Sequence, residues 1–150
     1  MTDIVDPATR SRMMAGIRGS NTKPERDLRT RLHRRGFRYR LHANIPGRPD
    51  FVLPKYKAAV FVHGCFWHGH NCHLYRLPTT RRDFWKKKIA GNRIRDRRRI
   101  RELGKLGWRC LTVWECAFRG RGQLGLDETV NETERWIFSG PHGRELRGSG

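Results

Sequence analysis

Hydrophobic and polar positions follow two different periods along the first half of the chain. Apolar residues recur at helical spacing between a threonine and a glycine, which predicts a helix over residues 23–35. Apolar and basic residues then alternate over residues 37–41, as in a half-buried strand, and two prolines flanking a glycine predict a turn at 46–49. Apolar runs at 50–53 and 58–63 predict a second strand and a buried central strand.

The second half of the chain alternates between helical and strand patterns. A long helix is predicted over residues 81–106, a buried strand over 108–114 and an amphipathic helix over 127–138. The predicted order is therefore helix, three strands, long helix, strand, helix. A mixed β-sheet flanked by helices satisfies that order, so we expect an α/β fold in one domain over residues 21–138, with a loose arm before it and a frayed, Gly-rich tail from Ser139 onward.

Charge indicates the kind of partner. The chain has 150 residues, with 33 Lys+Arg against 14 Asp+Glu, so its formal net charge is +19, and 26 of the 33 basic residues are arginines. Such a surface attracts polyanions, and arginine favours bidentate contacts with phosphate and guanine. Nucleic acid is the leading partner, and a purely architectural basic protein is the alternative. The longest apolar run, residues 58–62, is far short of the roughly 18 residues of a membrane span, so we expect no membrane partner.

Cysteine and histidine spacing suggests a metal site. Cys65, His70 and Cys72 fall in one Gly/His-rich loop, and Cys116 ends the last predicted strand. Thiolates and imidazole at such spacing converge on a tetrahedral zinc ion, whereas the alternative makes the cysteines small core residues. Cys110 lies within an apolar run and is expected to pack in the core. No secretory leader is predicted, so we expect a reducing, cytoplasmic compartment.

A second group of residues combines a carboxylate with imidazoles. Asp50 opens a predicted strand, His63 ends the next one, and His68 follows in the metal loop. A strand-borne aspartate can bind Mg²⁺ while imidazole moves protons for an attacking water. Pro-Asp alone is a turn signature, so only the pairing with His63 favours chemistry.

Two further acidic residues can be placed by local pattern. Thr22 and Glu25 form the two ends of a capping box, so Glu25 is expected to cap the first helix. At about 100° per residue, Asp96 falls on the inward stripe of the long helix. An inward carboxylate needs a partner. A neighbouring arginine and a catalytic histidine both remain open.

Aromatic pairs lie beside the basic and metal-binding segments. Phe66 and Trp67 stand inside the metal loop, and Phe84 and Trp85 open the long basic helix. Such pairs are usually core residues. Next to arginines they can also act as wedges that insert between base pairs.

Four stretches together resemble one family, the very short patch repair endonucleases. They are residues 46–51 (PGRPDF), 61–68 (FVHGCFWH), 95–98 (RDRR) and 107–117. The resemblance implies a bacterial protein with a restriction-endonuclease-like core that needs Mg²⁺ and carries a structural zinc. It implies an enzyme that nicks one DNA strand beside the T of a T:G mismatch left by deamination of 5-methylcytosine. Residues 1–20 would then be a DNA-contacting arm, 21–138 the endonuclease domain and 139–150 a flexible tail.

The resemblance also implies a role for each matching residue. Asp50 and the backbone carbonyl of Val62 would hold Mg²⁺. The implied catalytic residues are His63, His68 and Asp96, with Asp96 orienting His68. The implied zinc ligands are Cys65, His70, Cys72 and Cys116. The implied wedge consists of Phe66, Trp67 and Trp85, with Met14 approaching from the opposite groove. Glu25 matches a family acidic position, although the capping box gives it a structural role.

Two alternatives remain from the sequence. A non-enzymatic DNA-binding protein stapled by zinc would use the cysteines and arginines, including Arg97 and Arg98 on phosphates. It would leave four residues without a role, namely Asp50, His63, His68 and Asp96. A restriction nuclease of the same fold would cut both strands of matched DNA, as a dimer. We expect instead a monomer that acts at the bacterial nucleoid on T:G-mismatched duplex DNA, with mismatch-repair proteins as candidate partners.

Overall fold

The computed structural model describes residues 22–149 of the chain. The arm predicted at 1–20, with Met14, lies outside these residues. Its elements in chain order are helix α1 Lys23–Arg34, strands β1 Phe51–Leu53 and β2 Ala58–His63, helix α2 Arg82–Lys105, strand β3 Arg109–Trp114, helix α3 Leu126–Ser139 and strand β4 Gly143–Leu146. Over the same residues, none of the helices combines the length and apolar character that a bilayer crossing needs.

The four strands form one mixed sheet in the order β1-β2-β3-β4. β1 is antiparallel to β2, while β2, β3 and β4 are parallel neighbours. The parallel step from β2 to β3 requires a long crossover, and α2 provides it. The register pairs His63 with Trp114, so the carboxyl ends of the two central strands lie side by side.

Helices cover both faces of the sheet, as the continuous apolar runs of β2 and β3 require. α1 and α3 pack on one face, where the buried side chains are Leu28, Leu32, Phe51, Val60, Leu111, Val113, Val130, Trp136, Ile137 and Leu146. α2 packs on the other face, where Leu103 meets Val52, Ala59, Phe61 and Cys110. The predicted mixed α/β architecture is confirmed, and Cys110 is a core residue.

The strand predicted over residues 37–41 is wrong. Only Arg40 pairs with the sheet, through an isolated antiparallel bridge to Val52. Phe37 is buried in the core and Tyr39 packs edge-on against Phe51, so the alternating pattern reflects packing rather than a ladder. The backbone enters the left-handed region at His42 (φ 55°), which ends the pairing.

The frayed end predicted from residue 139 is also wrong for Gly143–Leu146, which form β4. Pairing with β3 satisfies the otherwise free edge of that strand, and Leu146 is buried in the main core. A single apolar anchor in a Gly-rich segment gives too weak a periodic signal to predict this strand.

The capping box predicted at Thr22 and Glu25 is also wrong. Thr22 is the N-cap residue of α1, but no side-chain hydrogen bond caps the helix. Glu25 is instead 2% exposed and forms an ion pair with Arg29 one turn later. Its carboxylate faces the interior, where other buried polar groups compete with the cap.

Arg109 joins the start of β3 to the end of α3. Its guanidinium donates to the carbonyl oxygens of Trp136 at 2.9 Å, Ile137 at 2.7 Å and Tyr56 at 3.0 Å, and lies over the Trp136 ring. The last carbonyls of a helix lack intrahelical partners and carry partial negative charge. The positively charged guanidinium of Arg109 therefore caps the C-terminal end of α3.

We expect Arg109→Ala to lower the free energy of unfolding by about 2–4 kcal/mol, because the substitution leaves several carbonyls without their charged donor. Arg109→Lys keeps the charge but cannot reach all three carbonyls, so it should recover only part of the loss. Urea denaturation of both variants checks this, with Arg121→Ala as an exposed control. An Arg109→Ala chain as stable as the control would contradict the capping role.

Candidate active site and metal cluster

The candidate site residues gather at the carboxyl edge of the sheet. β2 ends at His63 and β3 at Trp114, and each strand is followed two residues later by a cysteine, Cys65 and Cys116. Because the strands are parallel and in register, these two cysteines come from distant parts of the chain to the same place. The loop that starts at Cys65 then folds back over this edge toward α2.

A Cys/His cluster that could hold a metal ion lies at this edge. Its members are Cys65, His70, Cys72 and Cys116, and their candidate ligand atoms all lie within 4.8 Å of one another. Nδ1 of His70 is 3.5 Å from Sγ of Cys65 and 3.6 Å from Sγ of Cys116. A tetrahedral zinc ion with bonds of about 2.3 Å to sulfur and about 2.0–2.1 Å to nitrogen would separate these atoms by about 3.6 Å. The donor set and its spacing therefore fit zinc.

The protonation of the cluster also favours a cation. Burial raises the pKa of the Cys65 and Cys116 thiols, so both are neutral without a positive charge beside them. Burial lowers the pKa of His70 to about 4, which keeps its imidazole neutral and its lone pair available. A bound cation deprotonates coordinating thiols. The two thiols would therefore become negatively charged only when a metal ion binds.

His63, His68 and Asp96 form a second group, between β2 and α2. The two imidazole rings are stacked, with centroids 3.7 Å apart and planes inclined by 2°. Oδ2 of Asp96 lies 2.6 Å from Nδ1 of His68. The partner of Asp96, which the helical pattern left open, is therefore a histidine.

Burial and the contacts within this group determine the charges of His63 and Asp96. Burial, and then His68, lower the pKa of His63 to about 3, so the His63 ring is neutral. Burial opposes the ionised form of Asp96, yet the hydrogen bond with His68 holds its pKa below the ordinary value. Among residues 22–149, Nδ1 of His63 is buried without a hydrogen-bond partner. Because nitrogen lone pairs lie in the ring planes, two parallel rings cannot both aim at one ion, and the arrangement suits proton transfer better than chelation.

Glu25, which is buried, and Asp50, which is half-buried, form a pair of carboxylates near the end of β2. The amide of Val62 donates to Oδ2 of Asp50 at 2.6 Å. The pKa of Asp50 is raised to about 7, mainly by burial, while the Val62 amide opposes the rise and the neighbouring Glu25 adds to it. Two carboxylates held together in this way attract a hard cation. The capping-box pattern had instead predicted that Glu25 caps α1.

An aromatic cluster stands beside these groups. The rings of Phe66, Trp67 and Trp85 lie within 5.2–5.7 Å of one another, centroid to centroid, and all three are half-buried. The side-chain amide of Asn92 on α2 donates to the Trp67 carbonyl oxygen at 2.8 Å, which ties the loop to the basic helix. The cluster presents apolar surface to solvent without being part of the main core.

The basic helix continues past the histidines. Arg97 and Arg98 are exposed on α2, immediately after Asp96. Arg97 lines a cavity of about 630 Å³ whose wall also includes His63, His68 and Trp114. Met14, the remaining residue of the predicted wedge, lies outside the described part of the chain.

Two residues of the site were missed from the sequence. The Trp114 ring is stacked on His70, 4.0 Å away with planes inclined by 7°, and lies edge-on to His63 at 5.4 Å. Its indole N–H donates to Oε1 of Glu145 at 2.6 Å. A parallel alignment of the two central strands would have placed Trp114 beside His63. Glu145 belongs to β4, where the sequence gave no strand signal.

Comparisons of the sequence with known proteins identify its family. A protein-family model described as "DNA mismatch endonuclease Vsr" matches residues 2–74. The DNA mismatch endonuclease Vsr of Escherichia coli (strain K12) is 47% identical over 138 residues, which cover 91% of this chain and 88% of the relative. The Type II nicking enzyme V.XorIIP of Xanthomonas oryzae pv. oryzae is 46% identical over 83% of this chain and 92% of the relative. V.NmeAIP of Neisseria meningitidis serogroup A, also a Type II nicking enzyme, is 44% identical over 81% of this chain and 87% of the relative.

At such identity over most of both chains, shared ancestry extends well beyond the stretch that the family model covers. The chain belongs to the DNA mismatch endonuclease Vsr family.

Proposed function

We propose that the chain is a metal-dependent DNA endonuclease that nicks one strand beside the T of a T:G mismatch. The observation that carries this proposal is the placement, at one edge of the sheet, of the Asp50–Glu25 carboxylate pair and an Asp96–His68–His63 array. A basic helix and a half-buried aromatic cluster border the same edge. The sheet with helices on both faces supports a restriction-endonuclease-like core, with 21–138 as the endonuclease domain.

Mg²⁺ would be held by the Asp50 carboxylate and the backbone carbonyl of Val62, with Glu25 beside them. When bound, it neutralises charge on the scissile phosphate. The carboxylate pair fits such an ion, because burial and the neighbouring Glu25 raise the pKa of Asp50, and a bound cation would offset both effects. Zinc would occupy the cluster of Cys65, His70, Cys72 and Cys116 as a structural ion.

His68 would move the proton in this reaction. Its Nδ1–H donates to Asp96, which fixes the tautomer and leaves Nε2 as the proton acceptor. Water attacks phosphorus in line with the leaving oxygen, and Nε2 takes the proton of the water. The phosphorus–oxygen bond to the leaving oxygen breaks, and that oxygen keeps the electron pair and takes a proton from solvent. The neutral ring of His63 stacks against His68 and allows it to carry the single positive charge that results.

Recognition would combine two surfaces. Arg97 and Arg98 contact phosphates of any sequence. Phe66, Trp67 and Trp85 insert where the stack opens most easily, and a mismatched pair costs less to unstack than a matched one. The mismatch would thus be selected by the energy of insertion rather than by base-edge hydrogen bonds alone.

The names of the relatives bear on how the cleavage site is chosen. Two of them carry the name Type II nicking enzyme, so flanking sequence can contribute to the choice of site. A purely architectural zinc protein would need neither the Asp50–Glu25 pair nor the Asp96–His68 hydrogen bond. We propose that the protein acts as a monomer on bacterial chromosomal DNA, with mismatch-repair proteins as candidate partners.

Nick mapping tests the proposal directly. The protein with Mg²⁺ is incubated with end-labelled duplexes that differ only in one pair, T:G, A:C or matched, placed in several flanking sequences. We expect a single-strand nick beside the T of the T:G duplex. A double-strand break in matched DNA, or no cleavage of any duplex, would contradict the proposal.

Zinc content distinguishes Cys116 from Cys110, both of which are buried. We expect one tightly held zinc per chain, its loss in Cys116→Ser, and its retention in Cys110→Ser. Cys110→Ser should cost only about 1–3 kcal/mol of stability, the cost of burying a hydroxyl among apolar side chains. Metal analysis and thermal unfolding check both variants. Equal effects of the two substitutions would be inconsistent with the ligand set.

Asp50→Asn should lower nicking by about 10³-fold or more, because it removes a charge that neutralises the metal site. It should also stabilise the protein measured without added Mg²⁺. The folded-state pKa of about 7 exceeds the ordinary value of 3.8, so stability falls as the pH rises through that window, and asparagine removes this loss.

We expect a gain of at least about 1 kcal/mol at pH 8 and a smaller one near pH 4. Urea denaturation at the two pH values checks the sign. Asp83→Asn, at an exposed aspartate of α2, is the control and should change neither quantity. Retained nicking, or a pH-independent stability difference, would remove Asp50 from the site.

Trp67→Ala should reduce the preference for T:G over matched DNA by about 5- to 150-fold, the value of stacking one base on an aromatic ring. The salt dependence of binding should not change. Arg98→Ala is the matched control: it should weaken both duplexes alike and flatten the salt slope by about one unit. Binding isotherms on both duplexes at several salt concentrations measure these effects. Equal weakening by a folded Trp67→Ala chain would show that Trp67 only packs.

A further inference from the structure

We propose that residues 147–149, here called the C-terminal strap, are part of the metal site. They position Cys116, the ligand that lies farthest along the sequence from the other three. The inference rests on the proposed occupation of the Cys/His cluster by a metal ion. It concerns a segment that follows β4 and lies outside every stretch on which the family resemblance was based.

The strap contacts both loops that supply the ligands. Nη2 of Arg147 donates to the carbonyl oxygen of Asn71 at 2.7 Å, between the ligands His70 and Cys72. The amide of Ser149 donates to the carbonyl oxygen of Gly122 at 2.8 Å, in the loop that follows Cys116. Residues 147–149 therefore tie together two ligand-bearing segments that are far apart in sequence.

Between these two anchors, the strap reaches a ligand directly. The buried amide of Gly148 donates to Sγ of Cys116 at 3.4 Å. A hydrogen bond to a coordinating sulfur stabilises its negative charge and fixes its direction, and such partners affect metal affinity strongly. Gly148 thus acts on the metal through Cys116.

The approach requires glycine at this position. A Cβ atom on residue 148 would lie 2.5 Å from the carbonyl oxygen of Cys116 and 2.9 Å from that of Gly122. Both obstacles are backbone atoms of the ligand-bearing loop, so they cannot move away without shifting Cys116 itself. The constraint is one of space rather than of backbone conformation.

The place of the strap is set by the sheet. β4 pairs in register with β3, with Leu146 opposite Val113. Leu146 is buried in the core, so the residue after it starts from a fixed point beside the end of β3. In the same strand, Glu145 accepts the indole N–H of Trp114, whose ring is stacked on His70. The strap and β4 therefore support two of the four ligands.

Cadmium NMR tests the contact itself. The full chain is loaded with ¹¹³Cd²⁺ in place of zinc, and a ¹H–¹¹³Cd correlation spectrum is recorded on backbone-assigned protein. A hydrogen bond to the coordinating sulfur should give a cross-peak between cadmium and the amide proton of Gly148. A loaded protein that gives cross-peaks from its cysteine protons but none from Gly148 would overturn the inference. A chain that holds no Cd²⁺ or Zn²⁺ would overturn the metal site and the inference with it.

Metal release tests the consequence. Gly148→Ala should release zinc to a chromogenic chelator about 10-fold faster or more than the unsubstituted chain. Gly143→Ala is the matched control, because a Cβ at this β4 position has no atom within 4 Å, and its release rate should not change. A chain that ends at Leu146 removes the strap without introducing a clash and should release zinc faster as well. If this shortened chain keeps the rate of the full chain, the strap does not position Cys116.

Discussion

The in-register parallel pairing of β2 with β3 is the constraint on which the site depends. It sets His63 beside Trp114, and it brings Cys65 and Cys116, two residues beyond each strand end, to one point. Without that register, Cys116 would have no reason to meet the other three members of the cluster. The crossover helix α2 that parallel pairing demands also carries Asp96 to His68.

One short loop serves both the Cys/His cluster and the proposed chemistry. Residues 65–72 supply three members of that cluster and, between them, Trp67 and His68. Ordering a loop of this kind costs conformational entropy for each residue fixed. A metal ion bound at both ends of the loop would offset that cost and hold the histidine and the aromatic side chain without additional core packing.

Periodic signals predicted much of the fold, and local signals predicted it less well. Asp96 could be placed on the inner side of α2 because helical geometry fixes its direction, whereas its partner depended on tertiary contacts. Glu25 was misassigned because a capping box is a local pattern, and burial beside Asp50 is a distant interaction that outweighed it. β4 was missed because pairing with the edge of β3, rather than its own sequence, stabilises it.

A metal ion in the Cys/His cluster would organise the loop that carries His68 and Trp67. Hydrogen–deuterium exchange of the full chain, with zinc, after chelation and after zinc is restored, measures this effect. Amides of residues 66–72 should lose protection reversibly on chelation, while those in the centres of β2 and β3 should remain protected. Unchanged protection of residues 66–72 in the metal-free protein would contradict this role of the metal.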